Sequence, residues 1–414
     1  MAAASGSSED LKAKAQQLHQ TVFADTASDA ESVKQKEEAI GQLSDTYVKL
    51  QDAKALTQLL SQLRPFFAVI PKAKTAKIVR NIIDQIAKIP NSTDIQVAVC
   101  KEQVDWAIAE KRTFLRQRIQ LRLASLYLAT AEYTESLKIV GALLTEVKKL
   151  DDKLLLVDIH LLESRVHHAL RNQPKSRASL TAARTAANAI YVPISLQAEI
   201  DTQSGILHAD ERDFKTAYSY FFEAFEQFSA LDDPQAVAVL KYMLLCKVML
   251  SEAGDVPAII SSKAGLKYVG RDVDAMRAVA KAYQDRSLKE FQGVLDSYKD
   301  QLVGDVIIHT HLTALYGTLL EQNLVRLIEP FSRVEISHIA SLIDLPLATV
   351  EQKLSQMILD KKFAGTLDQG AGCLEVFAEP PAAGMYGDAL DIMDTLGSVV
   401  DTLWARSQNV VAAV

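Results

Sequence analysis

Along most of this chain apolar residues return every three or four positions, the spacing that lines one face of an α-helix. From Tyr133 they fall at Leu137, Val140, Leu144 and Val147. The next segment carries Leu154, Leu155, Ile159, Leu162 and Val166 up to a polar Arg171-Asn172-Gln173-Pro174 turn, and the one after it carries Ala178, Leu180, Ala183, Ala186 and Ile190. The small residues of that third stripe let helices approach closely. Turn sequences recur around Tyr133, Pro174, Phe214 and Val256, at intervals of 41, 40 and 42 residues. A period near 40 with two helices per unit predicts a mainly α fold, a right-handed α-solenoid of degenerate TPR-like helix pairs. Capping boxes are expected at Thr93 with Gln96 and at Ser287 with Glu290, and an N-cap at Asp233 before Pro234.

The pattern changes after residue 310. Leu312, Leu315, Leu319, Leu320 and Leu324 predict a helix leading into Pro330-Phe331. Val334, Ile336, Ile339, Ala340 and Ile343 predict a second helix, and Val350, Leu354, Met357 and Ile358 a third. Phe363 to Leu367 and Cys373 to Phe377 then alternate as two short strands around a Gly370-Ala371-Gly372 tip. Three helices followed by a hairpin is the winged-helix order. Beyond Pro380-Pro381 one more helix is expected, from about Asp388 to Gln408. Ile392, Met393, Leu396, Val399, Val400, Leu403 and Trp404 share one face of it, while Asp388, Asp391, Asp394 and Asp401 tend to the other. Such a helix is marginal alone in water, so its apolar face either folds back on this chain or joins helices of other chains. The organisation expected is a flexible segment (1–30), the solenoid (31–270), a helical stretch (271–310), the winged helix (311–379), and a linker with the final helix (380–414).

Charge decides what the winged helix is for. A DNA-reading winged helix neutralises phosphates with Lys and Arg. Between His311 and Glu379 five basic residues stand against nine acidic ones, a balance of −4, and the whole chain carries −7. No nucleic-acid partner is expected, and the motif points to protein assembly. Hydrophobic residues make up 49% and charged residues 23%, as in an ordinary soluble chain. Cys100, Cys246 and Cys373 are far apart, which suits a reducing compartment. There is no basic start followed by an apolar run, and no apolar stretch approaches the roughly 20 residues of a membrane span. A soluble intracellular protein without a membrane partner is expected. The Ser7-Ser8-Glu9-Asp10 cluster could take a phosphate.

The histidines and glycines of the chain form no motif of catalysis. His160, His167 and His168 share a helix, but their spacing does not converge as metal ligands do. No Ser-centred elbow, H-E-x-x-H or phosphate loop is present. The expectation is no enzyme, no cofactor and no metal. One charged run stands out: Lys111, Arg112, Arg116, Arg118 and Arg122 fall within twelve residues of helix. These cations either pair with acids of the adjacent repeat or dock an acidic protein partner.

A helical-repeat array closed by an acidic winged helix resembles the PCI family, whose members are scaffold subunits of the proteasome lid, the signalosome and translation initiation factor three. Several runs are most similar to a proteasome-lid member, from Glu110-Lys-Arg-Thr-Phe-Leu-Arg-Gln117 and Lys215-Thr-Ala-Tyr-Ser-Tyr-Phe221 to Ile328-Glu-Pro-Phe-Ser-Arg-Val334 and Lys353-Leu-Ser-Gln-Met-Ile-Leu-Asp-Lys-Lys-Phe363. The resemblance implies a non-catalytic scaffold in the cytoplasm and nucleus. Its implied partners are other lid PCI subunits, an ATPase-ring subunit and a core-particle α-ring subunit. The strands around Gly365 to Leu367 and Leu374 to Phe377, with Leu374 and Val376, become candidates for contact with a neighbouring lid subunit, and Ile392 to Trp404 the face that enters a helix bundle. The alternative within the family is a signalosome-type or translation-initiation subunit with RNA contact.

Overall fold

The computed structural model describes residues 14–20, 22, 30–90, 92–268, 270–343, 345–377 and 384–411. Both the Ser7–Asp10 cluster and the Pro380-Pro381 linker lie outside them. The chain divides into two compact units, Met1–Cys246 and Lys247–Val414. Helices follow one another through the first unit: α1 (Ala30–Lys49), α2 (Ala53–Gln62), α3 (Arg64–Val69), α4 (Lys72–Ala87), α5 (Thr93–Ala109), α6 (Thr113–Ala129), α7 (Tyr133–Leu150), α8 (Lys153–Ala169), α9 (Gln173–Asn188), α10 (Ile194–Asp210) and α11 (Phe214–Ala230). The division falls inside α12 (Gln235–Met249). Sequence neighbours from α5 to α9, and α10 with α11, pack as successive helices. This is the solenoid that the 40-residue period predicts.

The period is halved by the turns. Lys111, Ala131, Asp151, Arg171, Arg212, Asp232 and Ser251 all have positive φ, between 52° and 65°, and follow one another at steps of about 20 residues or twice that. At Lys111, Ala131, Arg171, Arg212 and Ser251 the left-handed residue donates to the carbonyl three back, and the next residue donates to the carbonyl five back. That is the Schellman closure of a helix end. The residue after it is already the N-cap of the next helix, as with Asp152, Asn172 and Asp213, whose side chains accept from the N–H three residues on. One left-handed residue thus ends one helix and starts another. None of these positions is glycine. Ala131 lacks any polar group to offset its strain, so Ala131→Gly should raise the unfolding free energy by about 1 kcal/mol, read from the urea midpoint.

Small residues twelve apart in sequence link the two helices of a hairpin. Ser136 donates to the Ala124 carbonyl at 2.9 Å, joining α6 to α7. Ser164 and Ser176 donate to one another's carbonyls at 2.9 and 2.8 Å, joining α8 to α9. Gly205 and the fully buried Ala217 hold the corresponding places on α10 and α11. Alternate helices are sandwiched between neighbours: α10 buries nine residues around its circumference, from Ala198 to Ala209. The capping box expected at Thr93 does not form. Ser92 is the N-cap, its hydroxyl donates back to Ile86 and Ile89, and Gln96 donates to that hydroxyl at 2.8 Å. At Ser287 the cap is made, accepting from the Glu290 N–H, and Asp233 accepts from Gln235.

In the second unit α13 (Val256–Ile260), α14 (Arg271–Gln284), α15 (Leu288–Ser297), α16 (Lys299–Val303) and α17 (Val306–Ile328) lead into the winged helix. There β1 (Arg333–Glu335), α18 (Ile336–Ile343), α19 (Leu347–Leu359), β2 (Gly365–Asp368) and β3 (Cys373–Val376) surround a core of Leu324, Ile339, Val350, Leu354, Met357 and Leu374. The expected pair of strands is a sheet of three, antiparallel in the order β1-β3-β2. Val334, assigned by its spacing to a helix, pairs with Leu374 in β1 instead. Gly365 is required by packing, since a Cβ there would lie 2.6 Å from the Glu375 carbonyl oxygen. Finally, α20 runs from Gly384 to Val411.

Candidate assembly surfaces

The α20 stripe is bare. Ile392, Met393, Leu396, Val399, Val400, Leu403 and Trp404 are between 52% and 68% exposed. The described residues of this chain do not cover them. Met385, Tyr386 and Leu390, at 84%, 77% and 63%, extend and widen the same arc. The 3.6-residue period would have found Met385 and Tyr386 had the helix been started four residues earlier; Leu390 lay inside the expected helix, at the edge of the arc. Fully burying a large apolar side chain is worth roughly 1.5–3 kcal/mol, so this face can drive association strongly.

On the wing, the sheet order changes which residues can meet a neighbour. Leu374 lies on the central strand, paired on both sides and wholly buried. Its side chain belongs to the core and offers no contact; this corrects the sequence expectation. Val376 is half-buried at the end of the same strand. The strands with an open side are β1 and β2, and of these β2, the one in the predicted hairpin, has an unpaired backbone edge that can be extended by another strand. Beside it lies a groove of about 650 Å³ lined by Val325, Ile328, Phe331, Phe363, Val376 and Phe377, with Phe331 and Phe377 each 51% exposed. Phe377 ends a strand the sequence had put forward for contact, whereas Phe331 was missed, although Pro330-Phe331 marked the place.

The basic run is divided by the fold. Arg112 donates to the Phe67 carbonyl at 3.1 Å and stacks 4.8 Å over the Trp106 ring. Arg116 is paired with Glu146 on α7. Pairing within the chain therefore describes these two, and reversing their charge would disturb the fold as well as any docking. Lys111 and Arg118 stay exposed, and Arg122 is half-buried.

Arg118 faces Asp158 on α8. Burial, with the nearby Glu199 and Asp152 carboxylates, raises the Asp158 pKa to about 6, against the opposing pull of Arg118 and Arg165. Its neutral form is favoured in the folded chain, so the stability it contributes is complete below pH 4 and is lost as pH rises through about 6. Asp158→Asn should therefore be more stable than wild type at pH 7, by about 2 kcal/mol after allowing for screening, and indistinguishable from it at pH 4, as thermal melts at the two pH values would show.

Two of the three histidines of α8 have structural partners. His160 bonds Glu163 at 3.0 Å and His168 bonds Asp210 at 2.8 Å. Among the described residues no three His, Cys, Asp or Glu gather as a metal-holding group, and no helix is long and apolar enough to cross a membrane. Burial pushes the Cys100 and Cys246 thiols up to about 11 and about 12, which makes them poor nucleophiles.

Comparison with known proteins bears on the whole chain. Residues 1–130 match the family model of the 26S proteasome regulatory subunit RPN6 N-terminal domain, and residues 295–378 match the PCI domain. An Arabidopsis thaliana protein named 26S proteasome non-ATPase regulatory subunit 11 homolog is 62% identical over 391 residues, covering 94% of this chain and 93% of its own length. The chain belongs to the 26S proteasome non-ATPase regulatory subunit 11 family. Further relatives in this subunit 11 family are the probable 26S proteasome regulatory subunit rpn6 of Schizosaccharomyces pombe, 51% identical over 398 residues (96% and 94% of the two chains), and the regulatory subunit RPN6 of Saccharomyces cerevisiae, 46% identical over 378 residues (90% and 87%). Within this subunit 11 family framework the basic run falls inside the RPN6 N-terminal match, and the wing inside the PCI match. The α20 stripe lies beyond both family models.

Proposed function

We propose that this chain is a non-catalytic scaffold subunit of the 26S proteasome regulatory-particle lid, serving lid assembly and the attachment of the regulatory particle to the core particle in ubiquitin-dependent degradation. The observation that carries this reading is the bare apolar stripe of α20 in a chain of this family: seven large side chains left in water along one face of one helix are built to be covered. In this reading α20 enters a bundle with helices of other lid subunits. The open edge of β2 takes a strand of a neighbouring PCI subunit, and the solenoid, with Lys111 and Arg118 exposed, reaches an ATPase-ring subunit and the core-particle α-ring. The work is done in the cytoplasm and nucleus. Family membership and the acidic winged helix both favour it over the signalosome or translation-initiation alternative.

The test is an affinity tag on the full chain. Proteasome subunits should co-purify in equal amounts with peptidase activity. Recovery instead with signalosome or initiation-factor subunits, or with RNA lost as salt is raised, would overturn the assignment.

A further inference from the structure

Four alternate helices of the first unit, α4, α6, α8 and α10, line a cleft of about 310 Å³ that takes in Arg118 and Arg122 of the basic run. By volume it would hold roughly ten water molecules, or a few side chains of a ligand. Its walls carry four guanidinium groups, Arg80, Arg118, Arg122 and Arg165, in a chain whose net charge is −7. Facing them are three carboxylates, Asp84, Asp158 and Glu199.

These charges do not simply cancel. Arg165 is occupied by Glu199 at 2.9 Å, and the Arg80 Nε donates to its own helix at the Ala76 carbonyl, 3.1 Å away. Arg122 is different: its Nε is buried without a hydrogen-bond partner. Arg118, on the same face one turn earlier, is exposed and lies near Asp158. Between the charged walls the lining is aliphatic, with Ile119, Leu155 and Leu162. A phosphate carrying two negative charges would meet three carboxylates and gain nothing from these aliphatic groups. A single carboxylate attached to an aliphatic neighbour satisfies both parts of the lining.

We propose that this cleft binds a short acidic–aliphatic peptide segment of a partner protein, with a carboxylate on Arg118 and Arg122 and an aliphatic side chain against Ile119, Leu155 and Leu162. The site is separate from α20, so it can fail while the scaffold reading stands.

The test uses the full-length chain and a fluorescein-labelled peptide of alternating Glu and Leu, followed by anisotropy. Saturable binding is expected, weakening as salt is raised. Arg118→Gln and Arg122→Met should each weaken it by about tenfold or more in a chain that still unfolds cooperatively. Asp158→Asn should tighten it at pH 7.5, because one competing carboxylate is removed. Equal binding of the Gln-Leu peptide, unchanged affinity in both arginine variants, or the absence of saturation would overturn the proposal. Full displacement of the peptide by low concentrations of inorganic phosphate would overturn it too, by making the cleft a phosphate site.

Discussion

A chain carrying Leu396→Asp with Val400→Asp should unfold at the wild-type temperature yet fail to enter the proteasome lid. The two residues are 63% and 54% exposed, so the isolated chain loses little packing when they change. They lie one turn apart on the α20 stripe, and two carboxylates at that spacing repel one another even in water. In a helix bundle each would also be buried without a partner, at an effective cost of several kilocalories per mole. Together these terms reduce the association constant by several orders of magnitude, so native gels should show the variant entirely outside the lid. Leu396→Met, which keeps shape and apolarity, should assemble normally. Wild-type incorporation of the double aspartate variant would show that the stripe is not the bundle face.

The second large effect lies inside the solenoid. At Gly205 an added Cβ would sit 2.7–2.8 Å from three carbons of the Phe221 ring, which is itself buried to 1% exposure on the facing helix. Neither helix can retreat freely, because α10 is packed around its whole circumference. Gly205→Ala should therefore destabilise the chain by about 2–3 kcal/mol through overpacking, despite the better helix propensity of alanine. Phe221→Ala should cost about 3–5 kcal/mol through the cavity it leaves. Combining Gly205→Ala with Phe221→Leu should cost less than the sum of the two single changes, because the smaller side chain makes room for the methyl group. Urea titration of the four chains measures the cycle. A Gly205→Ala chain within about 0.5 kcal/mol of wild type would mean that the interhelical spacing is looser than the contact implies.

Much of this architecture is legible in the order of residues because helices announce themselves by local spacing. The α20 stripe could be read from offsets alone, and so could the three helices of the winged motif. What failed was non-local. Strand β1 has three residues of which only Val334 is buried, too few to show a period of two, and it joins the sheet from about forty positions before β3. Without it Leu374 looked like an edge residue when it is the centre of the sheet. The cleft was invisible for the same reason: Arg80 and Arg165 are brought together only when four helices stack. Of the basic run, the sequence offered two fates and the fold distributes them, pairing Arg116 with Glu146 and holding Arg112 on Trp106 while leaving Lys111 and Arg118 outside.

The left-handed turns carry a consequence for how such a chain can diverge. Lysine, alanine, aspartate, arginine and serine all occupy the same strained position, so no residue type defines it. The turn is held by backbone hydrogen bonds counted back three and five residues, and the small-residue contacts lie twelve apart across it. Spelling is therefore free where counting is not. Substitutions can accumulate at the turns until no consensus remains, while a single inserted residue would throw the facing small residues out of register and cost more than any exchange at the turn itself.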